Sequence, residues 1–172
     1  HNVFVFGRAG TGKSYIVLRA VEQLKKVGKR VIVLCSSGIA CDAYTKNGIH
    51  AQTVHSCFDM QTSELPTRKI ITRAIANPRV RQTVWAGDVF IWDECSMSSR
   101  RMLELVNAIL HQLCDNEAPF GSKQFVFVGE FFQPSSFDRG EFMFLSELWD
   151  TAVCHRIELT KPMRQNEEEL MS

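Results

Sequence analysis

The chain has 172 residues, 45% of them hydrophobic, the size and apolar content of one domain with a sizeable core. Twenty basic and nineteen acidic residues leave a formal charge of +1, so no global field draws the chain to nucleic acid or an anionic membrane; any nucleic-acid contact must be local. No apolar run is long enough to span a bilayer, and the opening HNVFVFGRAG does not read as a signal peptide.

The first element in chain order is a strand, Asn2 to Phe6 (NVFVF), rich in β-branched and aromatic residues. Directly after it comes GRAGTGKS, Gly7 to Ser14, which matches G-x-x-x-x-G-K-[ST] and opens onto a helical pattern. In such a loop the backbone N–H groups turn inward around phosphate oxygens, and the helix N-terminus adds the positive end of its dipole. Gly7, Ala9, Gly10, Thr11, Gly12, Lys13 and Ser14 are therefore the candidate nucleotide cradle, with Lys13 on the β- and γ-phosphates and Ser14 on Mg²⁺. The helix that follows, SYIVLRAVEQLKKVGKR, repeats apolar residues at helical spacing from Ile16 to Val27. It ends on basic residues, with Gly28 placed as its C-cap.

A second strand is expected over Arg30 to Leu34 (RVIVL). Residues 67 to 86 read as one or two helices interrupted at Asn77-Pro78. The third strand, Asp88 to Trp92 (DVFIW), delivers Asp93 and Glu94 at its carboxyl end, where an open parallel sheet forms its ligand crevice. Asp93 is placed to hold magnesium through its water shell and Glu94 to polarise the water that attacks the γ-phosphate. An isolated Asp-Glu would read as an acidic helix start; beside the phosphate loop it reads as a catalytic pair. SSRRMLELVNAILHQLCDNE then repeats helical periodicity, KQFVFV (Lys123 to Val128) is a fourth strand, and HRIEL, ending at Thr160, a possible fifth.

The strands are apolar almost throughout and alternate with helices. That pattern predicts a doubly wound, mainly parallel α/β sheet flanked by helices, in a single domain spanning residues 1–172. Cys35, Cys41, Cys57, Cys95, Cys114 and Cys154 form no CxxC pair, and several lie in apolar runs, as thiols of a reducing, intracellular chain without a structural zinc site do. The abrupt start inside a strand and the abrupt end at EEELMS read as a segment of something longer.

Further segments fall into order around the two sites: CSSGIAC (Cys35 to Cys41), TVHS (Thr53 to Ser56), WDECSM, GEFFQ (Gly129 to Gln133) and LTKPMRQ (Leu159 to Gln165). With GRAGTGKS, this set resembles the first RecA-like domain of the PIF-type (petite integration frequency) superfamily-one DNA helicases, over nearly the whole chain. The resemblance implies a P-loop NTPase fold and a motor that binds and hydrolyses Mg-ATP to move along single-stranded DNA and unwind duplex or forked DNA. The implied settings are DNA repair, recombination or telomere maintenance.

By matching position the resemblance gives Lys13, Glu94, Gln133 and Arg164 catalytic roles. Gln133 would sense the γ-phosphate, and Arg164 would be an arginine finger spanning its equatorial oxygens. Ser14 and Asp93 would hold magnesium; Ser37, Gly38, Thr53, His55 and Ser56 would line the DNA path. It also implies a second RecA-like domain missing from this segment, which alone would be monomeric, weak or inactive as an enzyme, and unable to unwind. The implied compartment is intracellular, the nucleus or mitochondrion in a eukaryote and otherwise the cytoplasm.

Four departures stand out. Cys57 replaces the family's phenylalanine, leaving the base-stacking aromatic absent or displaced to Phe58. Glu130 replaces its aspartate, Pro134-Ser135-Ser136 replaces L-P-P, and Pro162 and Met163 precede Arg164. Two other readings are open at this level: a nucleotide-responsive single-strand-binding module with little turnover, and an oligomeric AAA+ ATPase.

Overall fold

The structure is a computed structural model that describes residues 1–60, 65–130 and 142–162. Six strands form one sheet: β1 (Asn2–Gly7), β2 (Val31–Cys35), β3 (Ala51–Thr53), β4 (Val89–Asp93), β5 (Gln124–Gly129) and β6 (Val153–Leu159). Their order is β3-β2-β4-β5-β1-β6, and every neighbouring pair is parallel. The helices are α1 (Lys13–Lys26), α2 (Gly38–Thr45), α3 (Val54–Cys57), α4 (Thr67–Ala76), α5 (Pro78–Ala86), α6 (Arg100–Cys114) and α7 (Glu147–Ala152). None of the described helices is long and apolar enough to cross a membrane.

The all-apolar strands are covered on both faces, and the two faces differ. Phe4, Leu34, Phe90, Trp92, Phe125 and Phe127 point into one core cluster, which also takes Val54, Ile70, Val80, Val106, Ile109 and Trp149 from the helices. The alternating residues Val5, Val33, Ile91 and Val128 point into the other, against Val17 and Val21 of α1 and Cys41 and Tyr44 of α2. A period-two split therefore lies inside runs that look uniformly apolar: rings on one side, β-branched residues on the other. The ring side is mutually packed, with Phe127 centroids 5.0 Å from Trp149, 5.5 Å from Phe125 and 5.8 Å from Trp92.

Local chemistry sets the helix ends. Lys25 and Lys26 sit in the last turn of α1. Val27 takes the C-cap and Gly28, at φ 80°, the left-handed position after it; the N–H of Lys29 reaches Leu24 O at 3.0 Å. The break at Asn77-Pro78 is a joint between two helices: Asn77 Oδ1 accepts the Arg79 N–H at 2.9 Å, and Pro78 occupies the first turn of α5. Ser99 caps α6 by accepting the Met102 N–H at 3.2 Å.

The expected fifth strand is the sixth and begins earlier, at Val153. The pattern did not reveal β3, α2, α3 and α7. β3 has three residues and α3 has four, too few for any periodicity to register, and α2 opens on Gly38, a poor helix former. All six strands run the same way, so Gly7, Cys35, Asp93 and Gly129 end at one carboxyl edge, with Cys35 opposite Asp93 and Phe6 opposite Gly129.

Phe127→Ala should lower stability by about 3–5 kcal/mol in denaturant unfolding, since it empties the middle of the ring cluster. A loss below about 1 kcal/mol would mean that the rings do not form a shared close-packed core.

Candidate active site

The loop between β1 and α1 is shaped by glycine at three points. Gly10 and Gly12 take left-handed φ of 80° and 84°. Gly7 is held by space: a β-carbon there would lie 2.6 Å from Thr11 Oγ1 and 2.7 Å from Leu159 O of β6. Thr11 ties the loop to itself, its hydroxyl donating to Arg8 O at 2.7 Å. Ala9, Gly10 and Ser14 are exposed.

Gly12 is the N-cap of α1 and brings no side-chain acceptor. The first amide of the helix to bond back is that of Ile16, to Gly12 O at 3.0 Å. The amides of Lys13, Ser14 and Tyr15 precede it at the positive end of a 14-residue helix and have no intrahelical acceptor. This is a donor set that fits phosphate oxygens. Lys13 Nζ donates to the loop carbonyls of Gly7 at 2.6 Å and Arg8 at 2.9 Å, and lies 3.5 Å from Glu130 Oε1. Glu130 leaves the end of β5, the strand next to β1, and its N–H reaches the buried Ser96 Oγ at 3.5 Å.

The acid pair lies two strands from the loop, at the end of β4. Asp93 is fixed from two sides: its carboxylate accepts hydrogen bonds from the hydroxyl of the buried Tyr44, from α2, and from the N–H of Glu94 at 2.8 Å. Burial first, then the charge of Asp93, pushes the Tyr44 hydroxyl well above its ordinary pKa and keeps it a donor. The remaining lone pairs of Asp93 can still accept from the water shell of a cation. With three carboxylates, Asp93, Glu94 and Glu130, near one edge, a bound triphosphate would need a divalent counter-charge, for which Ser14 and Asp93 could offer oxygen donors.

Glu94 has φ 53°, a left-handed conformation for a non-glycine residue at the site where the strand turns away. Its carbonyl accepts the Ser36 hydroxyl at 2.8 Å, and Ser36 Oγ lies 2.7 Å from Ser98 Oγ. Its carboxylate accepts the Ser37 hydroxyl at 3.3 Å. Partial burial, and then the negative charge of Asp93, raise the Glu94 pKa above the usual carboxylate range, against the lowering effect of Ser37. A carboxylate of raised pKa is a better proton acceptor.

The expected DNA-facing residues leave two adjacent strands at the same edge, Cys35 of β2 lying opposite Thr53 of β3. Ser37 caps α2, accepting the Ala40 N–H at 3.4 Å, and Gly38 is exposed on its first turn. Thr53 caps α3, accepting the Ser56 N–H at 3.1 Å, and His55 and Ser56 are exposed. Phe58 is fully buried and Cys57 nearly so, so the stacking aromatic has not moved to Phe58; that ring belongs to the core. Burial also pushes the Cys57 thiol up to about 12. Gln133 and Arg164 lie outside the described residues. Tyr44, Ser36, Ser98 and the Lys13–Glu130 pair did not emerge from the sequence. Tyr44 meets Asp93 across 49 residues and Ser36 meets Glu94 across 58, and no local spacing signals either contact.

Because the folded pKa of Glu94 is raised, ionising it costs the folded state stability, and the native form is favoured below the unfolded pKa and loses that advantage as pH rises through the folded value. Glu94→Gln should therefore raise the melting temperature at neutral pH, with the gain vanishing as pH falls below the usual carboxylate range. An equal gain at every pH would show that charge is not the cause.

A profile of the PIF1-like helicase family matches residues 1–172. The ATP-dependent DNA helicase Pif1 of a Psychrobacter species is 34% identical over 178 residues, covering 98% of this chain and 26% of that protein. The chain spans about a quarter of the length of the curated relatives it matches. Its fold superposes on the crystal structure of Pif1 helicase from Candida albicans with a TM-score of 0.83 at 28% identity, over 99% of this chain and 38% of that one. A Bacteroides Pif1 helicase solved with ADP-AlF3 and single-stranded DNA gives 0.72 at 25% identity, over 99% of this chain and 41% of that one. From its loop, its acid pair and its match along the whole length, the chain belongs to the PIF1-like helicase family.

Proposed function

We propose that residues 1–172 are the first motor domain of a longer DNA helicase, which binds and hydrolyses ATP and couples that cycle to movement along single-stranded DNA. The observation that carries this reading is the meeting at one sheet edge of the unpaired α1 amides, Lys13 and the Asp93–Glu94 pair. Phosphate binding, cation binding and proton abstraction then fall to neighbouring groups of one rigid element.

In this reading the β- and γ-phosphates settle on the amides of Gly10 to Ser14. Lys13 exchanges the carbonyls of Gly7 and Arg8, and its pairing with Glu130, for phosphate oxygens. Ser14 and Asp93 would hold magnesium, which would supply charge neutralisation and an oriented water shell. Tyr44 keeps the Asp93 carboxylate aimed, and Glu94 accepts the proton of the attacking water. Gln133 senses the γ-phosphate and Arg164 offers a planar cation to the transition-state charge. The hydrogen bond from Ser37 to the Glu94 carboxylate would couple that general base to the segment assigned to DNA, since Ser37 also caps α2. The Bacteroides complex with ADP-AlF3 and single-stranded DNA supports this pairing of ligands in the family.

The test is ATP hydrolysis by the full-length protein with and without a single-stranded oligonucleotide. The expected result is hydrolysis stimulated by DNA, with kcat lowered by about 10²–10⁴-fold in Glu94→Gln while nucleotide binding persists. Turnover that DNA does not stimulate above that variant would instead support a binding module. A ring-shaped hexamer in native mass measurement would support an AAA+ machine.

A further inference from the structure

The charge of the chain is nearly balanced, but not evenly spread. Between Pro66 and Ala86 stand Arg68, Lys69, Arg73, Arg79 and Arg81 and no acidic residue at all. This stretch is the α4–α5 pair, whose inner faces are buried through Ile70, Ala74, Val80 and Val84. Arg68, Lys69, Arg73 and Arg79 are exposed. Arg73 is paired with Asp59 at 3.2 Å; among the described residues Arg68, Lys69 and Arg79 have no ion-pair or side-chain hydrogen-bond partner.

Their positions work against the helices that carry them. Arg68 and Lys69 lie in the first turn of α4 and Arg79 in the first turn of α5, where the helix dipole disfavours cations, and neither first turn holds an acid. Lys69 and Arg73 are also like charges four residues apart on one helix face. Cations placed against local stability on an exposed face point to an external anion.

The pair is fixed beside the segment already assigned to DNA. Asp59 follows α3 in a left-handed conformation, φ 52°, and its carboxylate receives Arg73 from α4 and the Asn77 side chain, at 3.0 Å, from the α4–α5 joint. Its own N–H goes to Ser56 O at 3.4 Å, and the next N–H, of Met60, to His55 O at 2.9 Å. The basic face and the His55–Ser56 segment are thus two sides of one small clamp.

We propose that the exposed face of α4 with the start of α5, carrying Arg68, Lys69 and Arg79, binds the phosphate backbone of duplex DNA next to the single-strand path. Duplex is the better occupant because the outer face of α4 offers charges and hydroxyls, Thr67, Arg68, Lys69, Thr72 and Arg73, and no ring on which an unpaired base could stack. The exposed ring of this pair, Trp85, is at the far end of α5, and its Nε1–H is committed to Leu113 O at 2.8 Å. The identity of the polyanion rests on the DNA-motor reading above; the charged face itself does not.

The test compares a forked duplex with a single-stranded oligonucleotide, each titrated into the full-length protein and its R68Q/K69Q/R79Q variant over a salt series. The variant should bind the fork on the order of tenfold more weakly at low salt, with a slope of log Kd against log salt shallower by about two to three. Its affinity for the single strand and for nucleotide should stay as in the parent, and its melting temperature should hold or rise slightly, since cations are removed from the first turns of two helices. R68K/K69R/R79K should behave like the parent, since backbone contacts need charge rather than a particular shape. If the triple variant does not fold, R68Q alone should lower the fork slope by about 0.9. Unchanged fork binding, or an equal loss on fork and single strand, would overturn the proposal and leave the motor reading standing. A parent that binds neither DNA would overturn both.

Discussion

The parallel register of β1, β5 and β4 is the constraint on which the site depends. Phe6 opposite Gly129 and Trp92 opposite Phe127 bring the strands to one edge within a residue or two of each other. From that edge the chain leaves as the phosphate loop, as Glu130 and as Asp93–Glu94. A slip of one residue would turn the ring side of each strand towards α1 and α2 and break both cores at once, so the packing that stabilises the sheet also fixes the chemistry. The close approach of Gly7 to Leu159 ties β6 into the same arrangement.

Electrostatics at the edge is a balance of few groups. Lys13 is satisfied by two carbonyls and one carboxylate, Asp93 by a tyrosine and an amide, and Glu94 by a serine, while burial and Asp93 hold it above its ordinary pKa. The backbone of Glu94 is left-handed, a conformation that is costly for a side-chain-bearing residue and persists only where its surroundings enforce it. Ser36 and Ser98 do so here by holding its carbonyl and each other. Glu130, where the family resemblance has aspartate, reaches Lys13 at 3.5 Å, so the departure keeps an acid at the site.

The sequence made the fold class and the phosphate loop legible because both are written locally: apolar runs of strand length, helical periodicity, and a glycine pattern whose spacing has a mechanical reason. The Asp93–Glu94 pair was legible for the same reason, as the end of a buried strand. The partners of those residues were not. Tyr44 reads as one residue of a short segment without clear period, and only the β2–β4 register brings α2 over Asp93. Phe58 looked like a displaced stacking ring and is core, since a four-residue helix cannot be phased from sequence and its inner face is set by tertiary packing. The basic α4–α5 face was hidden by a net charge near zero, which averages out a local run of five cations with no acid between Pro66 and Ala86. Gln133 and Arg164 remain assignments by resemblance.

The central claim is that the phosphate loop, the acid pair and the start of α2 respond to one ligand as one site. Amide hydrogen exchange in the presence of a magnesium-bound, non-hydrolysable ATP analogue tests it most directly. The account predicts slower exchange at residues 10–15 and, at the same ligand concentration, at residues 36–40 and 93–98, because Lys13, Asp93, Glu94 and Ser37 would be ordered together. Protection confined to residues 10–15, with the other two segments exchanging as before, would contradict it.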